Sequence, residues 1–225
     1  MGQIADHIQS FLNEIPSDVK LVAVSKTKPN EDIMEAYHAG QLVFGENKVQ
    51  DLVAKAEVLP KDIEWHFIGH LQTNKVKFIA PFVTLVHAVD SLKLLKEIDK
   101  QAKKNDRNIQ ALLQFHIAQE DTKFGLDMEE AIALLSHPDF ALLENVKIIG
   151  VMGMATYTED QDQIKTEFGR LKNYFTMLKS SYFNEDDSFK EISMGMSGDY
   201  KLAIAQGSTM LRVGSSIFGL RSCQI

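Results

Sequence analysis

Two residues past an apolar run, Leu21–Val24, stands Lys26, followed by Thr27-Lys28-Pro29. A lysine at a strand end is ordinarily a surface residue whose stem lies on apolar neighbours. Enclosed among them, its amine would lose hydration, its pKa would fall, and it could attack a carbonyl. Far along the chain lie two small-residue segments, Met194-Gly195-Met196-Ser197-Gly198-Asp199 and Gly214-Ser215-Ser216. Glycine lets backbone N–H groups approach an anion, and serine adds a hydroxyl donor. The plainer reading of either segment is a tight turn that needs positive φ. Arg212 precedes Gly214 by two residues and could donate to a ring nitrogen or pair with a carboxylate such as Glu46. Histidines 66, 70, 87 and 116 suggest a metal-dependent hydrolase as a rival, but no carboxylate completes a recognisable ligand motif around them.

The elements that must position these groups alternate regularly. Ile4, Ile8, Phe11, Leu12 and Ile15 recur at helical spacing before Pro16, so the chain opens on an amphipathic helix. Strands are expected at Val19–Val24, Leu42–Phe44, Trp65–Ile68, Val83–Ala88, Ile109–Ile117, Val146–Met152, Glu191–Met194 and Met210–Val213. Helical patterns separate them: Asp32–Ala39, Lys48–Val58, Asn74–Ile79, Ser91–Lys103, Met128–Leu135, a long one through Ile164, Phe168, Leu171, Phe175 and Leu178, and Tyr200–Gln206. Strands this apolar are covered on both faces, as in a parallel sheet. Eight such βα steps predict one α/β domain over residues 1–225, a (β/α)8 TIM barrel with an extra N-terminal helix. An open doubly wound sheet is the alternative, and the first strand lacks the Gly-rich fingerprint of that fold. Little chain follows the eighth strand, so the opening helix is expected to cover it.

In such a barrel the chemistry stands where strands run into the following loops, and phosphate is often bound by the loops after strands seven and eight. Lys26 follows strand one, and the two Gly/Ser segments follow strands seven and eight. An amine nucleophile with a phosphate cradle predicts a phosphorylated aldehyde held as a Schiff base. Aldolases and pyridoxal phosphate (PLP) proteins both meet that description.

The bulk properties narrow the classes further. The chain has 225 residues, 44% hydrophobic and 24% charged, with a net charge of -7. That is the composition of a globular domain, and its sign disfavours nucleic acid and acidic membrane as partners. A lone cysteine, Cys223, permits no intrachain disulfide. With no leader-like start and no apolar run of membrane-span length, a cytoplasmic location is expected.

Six motifs in order carry a family resemblance: VSKTKP at 24–29, FGENKVQ at 44–50, WHFIGHLQTNK at 65–75, HAVDS at 87–91, SMGMSGDYKLAI at 193–204 and GSTMLRVGSSIFGLR at 207–221. The chain resembles the pyridoxal phosphate homeostasis proteins, relatives of the alanine racemase barrel domain. The resemblance implies that Lys26 forms the internal aldimine with pyridoxal 5'-phosphate and that Ser197, with Gly214 and Ser215, binds the phosphate. It further implies that Arg212 meets the pyridine nitrogen, with Ser193 near the cofactor, Asn47 beside the ring and Met194 packed against it. Two positions depart from the family pattern: Lys48 stands where tyrosine is frequent, and Ala88 where serine is usual.

The resemblance also implies a PLP carrier or regulator of vitamin B6 and of amino-acid and keto-acid balance, without established catalysis. Apo-PLP enzymes are the expected acceptors, and a monomer is expected. Alanine racemases carry a second, β-rich domain and take a tyrosine acid/base from a partner subunit, and 225 residues leave no length for that domain. An arginine at the pyridine nitrogen would also weaken the ring as an electron sink. The enzyme alternative is an amino-acid racemase of low activity, with Tyr157, just past strand six, as its best-placed tyrosine.

Overall fold

The structure, a computed structural model, describes residues 2–119 and 124–219. Eight parallel strands close into a barrel in sequential order. They are β1 (Lys20–Val24), β2 (Val43–Glu46), β3 (Glu64–Phe67), β4 (Leu85–Val89), β5 (Ile109–Phe115), β6 (Val146–Gly153), β7 (Glu191–Ser193) and β8 (Met210–Val213). Closure is direct: Lys20 through Ala23 of β1 pair in register with Met210 through Val213 of β8. The helices are α1 (Gln3–Glu14), α2 (Asn30–His38), α3 (Val49–Val58), α4 (Val76–Ile79), α5 (Leu92–Lys104), α6 (Met128–Leu135), α7 (Gln161–Tyr182), α8 (Tyr200–Ala205) and α9 (Ser215–Phe218). None of the described helices is long and apolar enough to cross a membrane.

Strand alternation sorts the side chains into two layers. Val22, Leu85, Leu112, Ile149, Met152 and Met210 fill the barrel interior. Their neighbours, among them Leu21, Ala23, Phe44, Trp65 and Phe115, face outward into the core shared with the helices. This period of two, hidden in the sequence because both faces are apolar, also fixes what reaches the barrel mouth.

Two local differences from expectation matter. The segment expected as a helix from Asn74 begins as a 3-10 turn, Thr73–Lys75, before α4. After β8 the chain forms α9, a single four-residue turn too short to leave a periodic signature. The opening helix packs against both α2 and α9, and its apolar face joins the outer core on the flank where β8 meets β1. Glu35 of α2 anchors it by accepting from the N–H groups of Ile4 and Ala5, at 2.8 and 3.2 Å, and His7 Nδ1 lies 2.9 Å from the Ile217 carbonyl.

Candidate functional site

The inward alternation of β1, Val22 then Val24, continues to Lys26, which brings that side chain to the barrel mouth. A cavity of about 910 Å³ opens there, lined by Lys26, Asn47, Ser197, Arg212, Gly214 and Ser215 among others. This is within the usual range for a small-molecule site, roughly 300–1,000 Å³. Six of the eight residues singled out from sequence therefore share one cavity. Two stand elsewhere. Ser193 is fully buried beneath the cavity and reaches it only through Arg212. Met194, the next residue, points the other way and is buried in the outer core, while Met154 and Met196 line the cavity. Adjacent strand residues cannot both face inward.

Lys26 is presented by a tight turn. The Lys28 N–H donates to the Ser25 carbonyl at 3.0 Å, and Thr27 sits at φ 66°. A β-branched residue in the left-handed region costs about 1–2 kcal/mol, so the turn must be held from outside. Lys28 does part of this by donating to the carbonyls of Phe218 and Gly219, at 2.7 and 3.3 Å, across the end of α9. Lys123, in the fifth loop, lies outside the described residues.

Behind the turn, Glu46 faces out of the barrel and is fully buried. Its Oε1 accepts from Ser25 Oγ at 2.6 Å and from Lys55 Nζ of α3 at 2.7 Å. Glu46 is therefore the partner of Lys55, not of Arg212. Asn47, the next residue, turns inward. Gly69 lies so close that a Cβ there would stand 2.3 Å from the Asn47 carbonyl oxygen, which explains the glycine.

Arg212 Nη1 donates to Ser193 Oγ at 2.6 Å and Nη2 to the Gly153 carbonyl at 3.0 Å. Burial lowers its pKa to about 10, opposed by the Asp199 charge, so it remains a cation at neutral pH. From Ser193 a polar chain continues inside the barrel. His87 Nδ1 lies 3.0 Å from Ser193 Oγ, and His87 Nε2 lies 3.0 Å from His66 Nδ1. Burial and the Lys20 charge press His66 down to about 3. Burial, then His66 and Arg212, depress His87 well below its ordinary value. Both rings are neutral, and each satisfies the other. His70 stands apart, 3.5 Å from Asp90 and stacked on Phe124. Among the described residues no three His, Cys, Asp or Glu side chains converge to hold a metal.

The loops after β7 and β8 meet: the Ser216 N–H of α9 points at Ser197 Oγ, 3.4 Å away. The first N–H groups of a helix have no acceptor within it, so this corner offers donors to an anion. Asp199 braces it by accepting from the Met196 N–H at 2.5 Å. Tyr157 is on the rim and 97% exposed. Of the two family departures, Lys48 is exposed before α3 and Ala88 packs inside the barrel.

Comparison with known proteins agrees with this architecture. Residues 1–222 match the family described as alanine racemase, N-terminal domain. A pyridoxal phosphate homeostasis protein from Aquifex aeolicus is 39% identical over 203 residues, covering 90% of this chain and 87% of the relative. The human protein of that name is 35% identical over 232 residues, covering 97% and 84%. This chain belongs to the pyridoxal phosphate homeostasis protein family. Among solved family members, PipY of Synechococcus elongatus without PLP superposes with a TM-score of 0.89 at 36% identity, covering 96% of this chain and all of that one. PipY has also been solved with PLP bound, with a TM-score of 0.86 at 35% identity and the same coverage. The barrel of alanine racemase from Bartonella henselae shares the fold, with a TM-score of 0.75 at 16% identity over 61% of that longer chain.

Proposed function

We propose that this chain binds pyridoxal 5'-phosphate at the barrel mouth, holds it covalently through Lys26, and serves vitamin B6 homeostasis as a carrier. The observation that carries this reading is the meeting of Lys26, Arg212 and both Gly/Ser loops around one cavity. The donor set suits the group: a primary amine, a buried cation, and hydroxyl and backbone donors gathered where Ser216 N–H points at Ser197 Oγ. The names of the relatives and the PLP-bound PipY support it. The cofactor supplies an aldehyde that condenses with an amine as water leaves. Lys26 offers the amine. Ser197 and the backbone of Gly214 and Ser215 take the phosphate. Arg212, fixed by Ser193 and the Gly153 carbonyl, donates to the ring nitrogen and, as a persistent cation, keeps it unprotonated. Asn47 lies beside the ring. In this reading the protein is a cytoplasmic monomer that delivers PLP to apo-enzymes.

Borohydride reduction of the loaded protein should fix the cofactor mass on Lys26, and Lys26→Ala should abolish it. An adduct on another lysine of the parent protein would refute the assignment. The phosphate corner is tested by pyridoxal, which should be held far more weakly than PLP, since each charge-assisted hydrogen bond contributes about 1.5–3 kcal/mol. Equal retention would reduce those loops to turns.

A racemase must deliver protons to both faces of its substrate from two positioned groups, and Tyr157, at 97% exposure, is not enclosed against the cavity. Deuterium should therefore wash into L- and D-alanine barely faster than with PLP alone. Turnover of about 1–1,000 per second, lost in Tyr157→Phe, would overturn the carrier reading.

A further inference from the structure

We infer that Lys55 and Glu46 are positioning residues for Lys26, acting through Ser25, and that they hold the Lys26 turn in a conformation it would not otherwise keep. The inference rests on the reading of Lys26 as the cofactor lysine. Every polar group of Ser25 is engaged. Its N–H donates to the Gly45 carbonyl at 3.1 Å and its hydroxyl to Glu46 Oε1 at 2.6 Å. Its carbonyl accepts from Lys55 Nζ at 2.9 Å as well as from the Lys28 N–H at 3.0 Å. The residue before Lys26 is thus clamped at three atoms, two of them by one buried ion pair. The turn that follows needs such a clamp, because Thr27 lies at φ 66° without being glycine. Strained backbone persists only where its surroundings over-determine it.

Stability alone does not account for the pair. Replacing a buried ion pair by apolar residues of similar volume is often neutral or stabilising. Here the pair is not even saturated: Glu46 Oε2 is buried with no hydrogen-bond partner among the described residues, while Oε1 takes both the serine and the lysine. The carboxylate is oriented toward the Lys26 turn at the expense of its own second oxygen. Lys55 likewise spends one donor on a backbone carbonyl of that turn.

The test uses Ser25→Ala and the neutral double variant Glu46→Gln/Lys55→Met. In the cofactor-free proteins, exchange of the Lys28 amide, followed by NMR, should quicken at least tenfold in both, with core amides such as Ile98 unchanged. After incubation with PLP and borohydride, the adduct should divide between Lys26 and Lys28 instead of standing on Lys26 alone. Parent-like exchange and undivided Lys26 labelling in the folded variants would overturn the inference. If the double variant does not fold, Ser25→Ala alone decides, because it removes one hydroxyl and leaves the ion pair in place. If the parent itself gave no Lys26 adduct, the cofactor reading would fall, while the exchange of Lys28 would still decide whether the pair holds the turn.

Discussion

Acidification should destabilise this protein through its buried histidine pair. His66 and His87 are 4% and 0% exposed. Both are held neutral, His66 down to about 3 and His87 well below its ordinary value. In the unfolded chain each titrates near 6.5. Below that pH the unfolded chain binds protons that the folded chain refuses. Their contribution is therefore complete above about pH 6.5 and drains away as pH falls toward the folded values. Each histidine adds a slope of up to about 1.4 kcal/mol per pH unit. Integrated to about pH 5, the loss for His66 is about 2 kcal/mol, and His87 adds to it in the same direction, against a typical total of about 5–15 kcal/mol. Urea unfolding at intervals from about pH 8 to about pH 5 measures the slope. His66→Gln, which keeps an amide for His87, should lower that slope by about 1.4 kcal/mol per unit, because every other titratable group is common to both proteins. Imidazole NMR signals of His66 or His87 titrating near the ordinary value, or identical slopes for parent and variant, would refute the reasoning.

Gly69→Ala would press a methyl 2.3 Å from the Asn47 carbonyl oxygen. It should cost about 1–3 kcal/mol in a denaturant melt and speed loss of PLP on dialysis. Asp127→Ala removes the capping box of α6, in which Asp127 accepts from Glu130 N–H and Glu130 accepts from Asp127 N–H, at 2.8 and 3.0 Å. It should cost about 1 kcal/mol, read as a lower urea midpoint with unchanged PLP retention.

Much of this site is legible from sequence because its parts are local. A lysine at a strand end, a glycine-serine loop and an apolar strand each occupy a few consecutive residues. Barrel topology then brings them together without further information. Met194 departs from expectation because a motif such as SMGMS suggests neighbours around one ligand, whereas alternation sends Ser193 in and Met194 out. The Ser25–Glu46–Lys55 cluster is not legible in the sequence, for the opposite reason. Its members come from the turn after β1, from β2 and from α3, and a lysine on α3 reads as solvent-facing until the packing of α3 encloses it at 8% exposure. The His66–His87 contact likewise joins β3 to β4 across a register that spacing does not determine.

The opening helix has a consequence for how the chain is made. It packs on the flank of the barrel beside α9, and His7 meets the carbonyl of Ile217, 210 residues later. Translation at about 5–20 residues per second puts roughly 10–40 s between synthesis of the two. Throughout that interval Ile4, Ile8 and Phe11, buried in the finished protein, must wait without α9 or the Tyr200 ring that packs on Phe11, and β1 lacks its β8 partner. The barrel cannot be sealed progressively as it leaves the ribosome; its last seam joins the oldest and newest parts of the chain. Chaperones that shelter nascent apolar helices would therefore find α1 exposed longest.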